Sequence, residues 1–223
     1  YAAVVQTNRY TFLFQLFCFG VASGGAIFMS QYWGAGDVRR MRQSMGVSLI
    51  WTGAIMAVFI AGAAIFPDQI IGLFLPQGES ASIAKEYLQW ILLSYLFHGV
   101  NMVYATCLKS GEKPHIPLIS GSVGLAVNTV LNYGLIYGKL GMPAMGVQGA
   151  GLATCIAAGV TLVLTLAMAY GKHLPAGANL KELFGFDKAF HGRFVKTTLP
   201  VVFNEGLWAL GVTMYGVFYG RMG

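Results

Sequence analysis

Charge is what this sequence has least of. Only 10% of its 223 residues are Asp, Glu, Lys or Arg, against about 25% in an ordinary soluble domain. So few charges cannot cover a water-facing surface, and a soluble globular domain is excluded. The eight acidic residues form no cluster; they punctuate the chain between apolar runs, and Glu205 alone stands inside one. Cysteine is nearly as scarce. Cys18, Cys107 and Cys155 are odd in number and fall within apolar runs, so they offer neither a disulfide framework nor zinc-ligand spacing and are expected to be small packing residues. No basic leader precedes the first apolar run, so no signal peptide is expected, and the chain is expected to begin in mid-protein.

Signals for catalysis are missing as well. Gly146, Gly149 and Gly151 lie in an apolar stretch with no strand before them, which excludes a nucleotide-binding turn. No Ser, His and Asp constellation and no metal-ligand cluster stands out, so no metal, cofactor or enzymatic activity is expected. A membrane-embedded enzyme acting on lipids would need its polar residues gathered at one interface, and His115, His173 and His191 form no recognisable site. The formal charge of +6 raises the question of nucleic acid, but the basic residues sit between long apolar runs, as in the cytoplasmic loops of membrane proteins. Nucleic acid is not an expected partner; the lipid bilayer is.

What the sequence does have is length without charge. It is 56% apolar, with a mean hydropathy of +0.64. Six stretches, 10–36, 43–67, 87–108, 114–138, 140–171 and 197–220, reach the roughly 20 residues that a helix needs to cross a bilayer. Strands of a membrane barrel would show alternating segments of about ten residues, and these runs are unbroken. The fold class expected is all-α, a bundle of six transmembrane helices. Turn chemistry divides the runs: Gly34, Gly36 and Asp37; Pro76, Gln77, Gly78 and Glu79; 111–114; 138–143; and 173–185. Asp37 is placed to cap the second helix.

Alternate links carry ten basic residues, Arg39, Arg40, Arg42, Lys109, Lys113, Lys172, Lys181, Lys188, Arg193 and Lys196, against Arg9, Lys85, Lys139 and Arg221 on the other side. Lys and Arg are retained preferentially on the cytoplasmic side. The first helix therefore runs inward and the last outward.

Glu205 lies nine residues beyond Lys196, about 13 to 14 Å along a helix and close to the bilayer middle. A carboxylate there is costly to insert, by about 2.5 to 3.5 kcal/mol, and faces a cavity or a partner. It is able to hold a proton, a metal cation or an organic cation in turn, or to be tied to a neighbouring helix by hydrogen bonds. Pro200 in the same run frees the carbonyl of Lys196 and introduces a kink, static or used in gating. Asn128 and Asn132 share one helix face, which Ser120 and Gly124 extend toward the cytoplasm. Cavity lining and interhelical hydrogen bonding are both open for that stripe. Ala150, Thr154 and Ala158, like Gly20 and Gly24, have the spacing of close helix packing.

The order of the loops and helices adds a resemblance. GVASGGAIFMSQYWGAGD at 20–37, CLKSGEKPHIPLI at 107–119, NTVLNYGLIYG at 128–138, GVQGAGLAT at 146–154 and LPVVFNEGLWALGVTMYGVFYGRMG at 199–223 resemble, in order, helices two to seven of the multidrug and toxic compound extrusion (MATE) family. That family has twelve spans in two six-helix lobes around a cavity of alternating access. The resemblance implies that 1–171 is a first lobe lacking its first helix, 172–194 the cytoplasmic inter-lobe linker, and 195–223 the first helix of the second lobe. It implies a monomeric antiporter of the cell (inner) membrane that exports cationic or amphipathic organic compounds, with a sodium ion or proton as coupling ion and no cofactor. It assigns cation coupling to Glu205, the substrate cavity to Asn128, Asn132 and Thr154, and gating by helix bending to Pro200. Some relatives carry an aspartate of a proton relay at the position of Asn132, and asparagine cannot serve in such a relay. A branch of the same superfamily flips lipid-linked saccharides. A flippase would need a cationic cavity for pyrophosphate, and no Lys or Arg lies within the six runs.

Overall fold

A computed structural model of the chain describes residues 2–72 and 79–222, with side chains described over 7–72, 82–208, 210–212 and 214–215. It contains α1 (Ala2–Gly34), α2 (Val38–Ile65), α3 (Pro67–Gly72), α4 (Glu79–Ser110), α5 (His115–Tyr137), α6 (Gly146–Gly171), α7 (Leu180–Phe184) and α8 (Lys188–Met222). The six expected runs are the six long helices. Five of these are long and apolar enough to cross a membrane: Thr7–Gly34, Val38–Ile65, Ser82–Ser110, His115–Tyr137 and Gly146–Gly171. The sixth, α8, falls outside that set: no stretch of its described residues is both long and apolar enough. The expected break at Pro76, Gln77 and Gly78 lies outside the described residues, as do Tyr1 and Gly223.

Helix ends follow the turn chemistry. α1 stops before Gly36, whose φ of 72° suits a residue without Cβ. Asp37 then caps α2, accepting from the Arg40 N–H at 2.9 Å. Gly138 closes α5 in the left-handed region at φ 65°. Two short helices, α3 and α7, stand where turns were expected. The α7 turn is held by a capping box in which the Asn179 N–H donates to Glu182 Oε2 at 2.8 Å. Residues 188–194, placed by sequence in the linker, are the first turns of α8.

α1 is central, packed on α2, α4 and α8, while α4 packs on α6 and α6 on α5. Phe14 stacks on Tyr95 with centroids 4.1 Å apart, in a buried cluster with Cys18, Met56, Tyr87 and Ile91. At the end of the bundle where α1 meets α2, Met29, Met41, Met45, Cys107 and Leu108 are covered by Ala176, Ala178 and Leu183 of the α6–α8 link. That link is a docked strap. Arg42 donates from Nη1 to Glu182 Oε1 at 2.7 Å and from Nε to the Pro175 carbonyl at 3.1 Å, and Gln43 donates to the Gly185 carbonyl at 2.7 Å. Large apolar side chains such as Val58, Leu118, Leu125 and Val163 point outward, as expected of a bundle whose solvent is lipid.

Candidate functional site: a carboxylate on α8 and an amide cluster between α5 and α6

Glu205 sits in the middle of α8 on the face turned to α1. A Cβ placed on Gly20 would lie 2.9 Å from the Val202 Cα and 3.5 Å from the Glu205 Cβ, so the glycine lets the two backbones close at this level. Gly24 receives Thr198 in the same way one turn nearer the C-terminus of α1. Close packing, the expectation for Gly20 and Gly24, is what they do. Glu205 itself is half-buried, and among the described residues its carboxylate has no hydrogen bond or ion pair.

The amides form a second centre. Asn132 Nδ2 donates to Asn128 Oδ1 at 2.9 Å, Asn128 Nδ2 approaches Thr154 Oγ1 at 3.5 Å, and the Thr154 hydroxyl donates to the Ala150 carbonyl at 2.9 Å. The three residues named together from sequence are therefore in one chain of polar contacts across α5 and α6. At the far end Asn132 Oδ1 is buried and has no partner among the described residues. A buried acceptor without a donor costs about 1–3 kcal/mol, and its open valence favours a cation or an N–H or O–H donor over an anion. α8 packs on α1, and α5 on α6, so the carboxylate and the amide cluster share no packed face.

A third polar group was not foreseen. Thr165 Oγ1 lies 2.8 Å from Asn101 Oδ1, 2.8 Å from Ser120 Oγ and 2.9 Å from the Thr161 carbonyl. One hydroxyl has one hydrogen, so Thr165 donates to one of these oxygens and accepts from the Ser120 O–H or from the Asn101 amide with its N and O exchanged. Ser120, foreseen as an extension of the α5 polar face, is thereby a pin between α5, α6 and α4. Pro200 lies inside α8, nearly two turns after the buried Phe194 that anchors the helix against Val47 and Phe28.

The family model described as MatE matches residues 1–134. The "Probable multidrug resistance protein NorM" of Thermotoga maritima is 29% identical over 160 residues, covering 70% of this chain and 33% of that protein. The protein of the same name from Bradyrhizobium diazoefficiens is 29% identical over 170 residues, covering 75% and 36%. The chain thus spans about a third of the length of these relatives. Among solved structures, the inward-facing conformation of a multidrug resistance MATE family transporter of the MOP superfamily superposes with a TM-score of 0.80 at 18% identity, covering 94% of this chain and 47% of that one. A MOP superfamily transporter from Pyrococcus furiosus, described as having a binding pocket of reverse polarity, gives 0.78 at 19%, covering 96% and 46%. These likenesses establish the fold, and the family match extends over more than half of the sequence: the chain belongs to the multidrug and toxic compound extrusion family, MatE, whose members are multi-pass membrane transporters and not enzymes.

Proposed function

We propose that the protein to which this chain belongs is a secondary active antiporter, exporting cationic or amphipathic organic compounds in exchange for sodium ions or protons. The observation that carries the reading is the half-buried, unpartnered carboxylate of Glu205 on the α1-facing side of α8. An intramembrane carboxylate without a protein counter-ion needs another positive partner. A proton, a sodium ion and an organic cation are alternatives at such a group, and mutually exclusive occupancy is the physical basis of exchange. Asn128, Asn132 and Thr154 line the cavity of the first lobe in this reading, with the open Asn132 oxygen directed to a cation or donor. Residues 1–171 belong to that lobe, 172–194 form the inter-lobe linker, 195–223 begin the second lobe, and the transporter works as a monomer.

The test is ethidium efflux from pump-deficient cells expressing the full-length gene, with sodium removed in one arm and the proton gradient collapsed in another. Loss of efflux in one arm identifies the coupling ion. Glu205→Gln is expected to abolish efflux at unchanged expression, and undiminished efflux by that variant overturns the role of the carboxylate. No efflux by the unmodified protein in any arm turns the reading to a lipid-linked saccharide flippase.

A further inference from the structure

Between α1, α2 and α8 lies an apolar cavity of about 160 Å³, walled by Phe17, Trp51, Phe194, Val195, Thr198 and Leu199 among others. The α8 wall is a single helix face: Phe194, Val195, Thr198, Leu199 and Val202 recur at intervals of three and four. Thr198 supplies the wall's one hydroxyl. It is 5% exposed, and its Oγ1 has no hydrogen-bond partner among the described residues. The cavity is open at Trp51 and Leu199, which are 38% and 46% exposed.

Glu205 is not part of the wall but follows the wall residue Val202 within one helical turn. Val202 is three residues, about 4.5 Å of helix rise, before Glu205, and both meet α1 at Gly20. Phe17, a wall residue, has its ring 3.3 Å from where a Cβ on Gly206 would stand. Size sets the occupant. A dry apolar cavity of about 150 Å³ in another protein takes up one benzene. The aromatic side chains Phe17, Trp51 and Phe194 offer ring faces and edges to such a guest. A lipid tail would fill the apolar part and leave the carboxylate unanswered, whereas an organic cation satisfies both.

We propose that this cavity seats one compact apolar group, the size of a single aromatic ring, of an amphipathic cation whose charge is held by Glu205. The inference rests on the reading of Glu205 given above and adds to it the place and size of the substrate's apolar half.

The test is calorimetric binding to the purified full-length protein of tetramethylammonium, benzyltrimethylammonium and naphthylmethyltrimethylammonium. Benzyltrimethylammonium is expected to bind roughly tenfold or more tighter than tetramethylammonium, the gain from burying a ring, and the naphthyl compound to gain nothing further. Leu199→Trp and Val195→Trp, which fill the cavity from its open side, are expected to erase the ring's advantage while tetramethylammonium binds as before. Equal affinities in the unmodified protein overturn the proposal, as does an advantage that both variants retain. Affinity that keeps rising with the naphthyl group marks an open slot for lipid tails and also overturns it. Glu205→Gln is expected to weaken all three compounds. If it weakens none while the filled variants still erase the ring's advantage, the charge assignment fails and the cavity stands as an apolar site alone.

Discussion

Arg42 makes the one ion pair that ties the strap to α2 among the described residues, and its partner is where pH acts on the strap. The Asn179 N–H donating to Glu182, and then the Arg42 guanidinium beside it, hold the Glu182 carboxyl below its ordinary carboxylate value. A depressed folded pKa contributes stability that is fully present above the unfolded value and lost as pH falls through the folded one. The protection of the 175–185 backbone against hydrogen exchange in the full-length protein, relative to the intrinsic exchange rate at each pH, is therefore expected to be constant near neutrality and to fall only in acid, below the usual glutamate range. Glu182→Gln should remove that acid-dependent step; a step that persists in the variant places it on another group. None of this pairing was legible beforehand, because Arg42 and Glu182 are 140 positions apart and no periodicity connects them. The Asp37 cap and the Asn128–Asn132 contact were legible, because capping and i, i+4 neighbours are local geometry. The open Oδ1 of Asn132 was not, since it depends on how α5 and α6 meet.

The long helices were readable because uncharged length is itself the signal in a membrane. α3 and α7 were missed because helices of six and five residues lie below any periodicity, and turn residues at their ends read as loop. Two helices invite direct tests. Thr165 joins α6 to α4 and α5 through oxygens within 2.9 Å, so Thr165→Val should destabilise the bundle by about 1 kcal/mol, somewhat above the average of about 0.6 kcal/mol for one interhelical bond in membranes. Thermal unfolding of the purified protein measures it; an unchanged midpoint assigns the cluster no structural weight. In α8, Pro200 leaves the Lys196 carbonyl without its helical donor, between an N-terminal stub anchored by Phe190 and Phe194 and the C-terminal half that bears Glu205. Pro200→Ala restores that bond and stiffens the joint. If bending there gates access, efflux falls several-fold while binding of tetramethylammonium is unchanged. Equal efflux by the variant marks the kink as static.

At the scale of the whole molecule, the packing order places α8 on α1 and α5 on α6, with the carboxylate and the amide cluster on faces that do not touch. Neither the sequence runs nor their charges predict that separation, because it depends on which helix lies beside which. Two cation-favouring centres so placed are two sites, each with its own affinity for tetramethylammonium. Calorimetry of the full-length protein is then expected to show Glu205→Gln weakening one site and Asn132→Ala the other, and in the double variant each site weakened by its own factor and no more. Factors that multiply on a single site, with free energies adding to within about 0.3–0.5 kcal/mol, would mean that one cation contacts both centres, so that the two faces meet in a state different from this one.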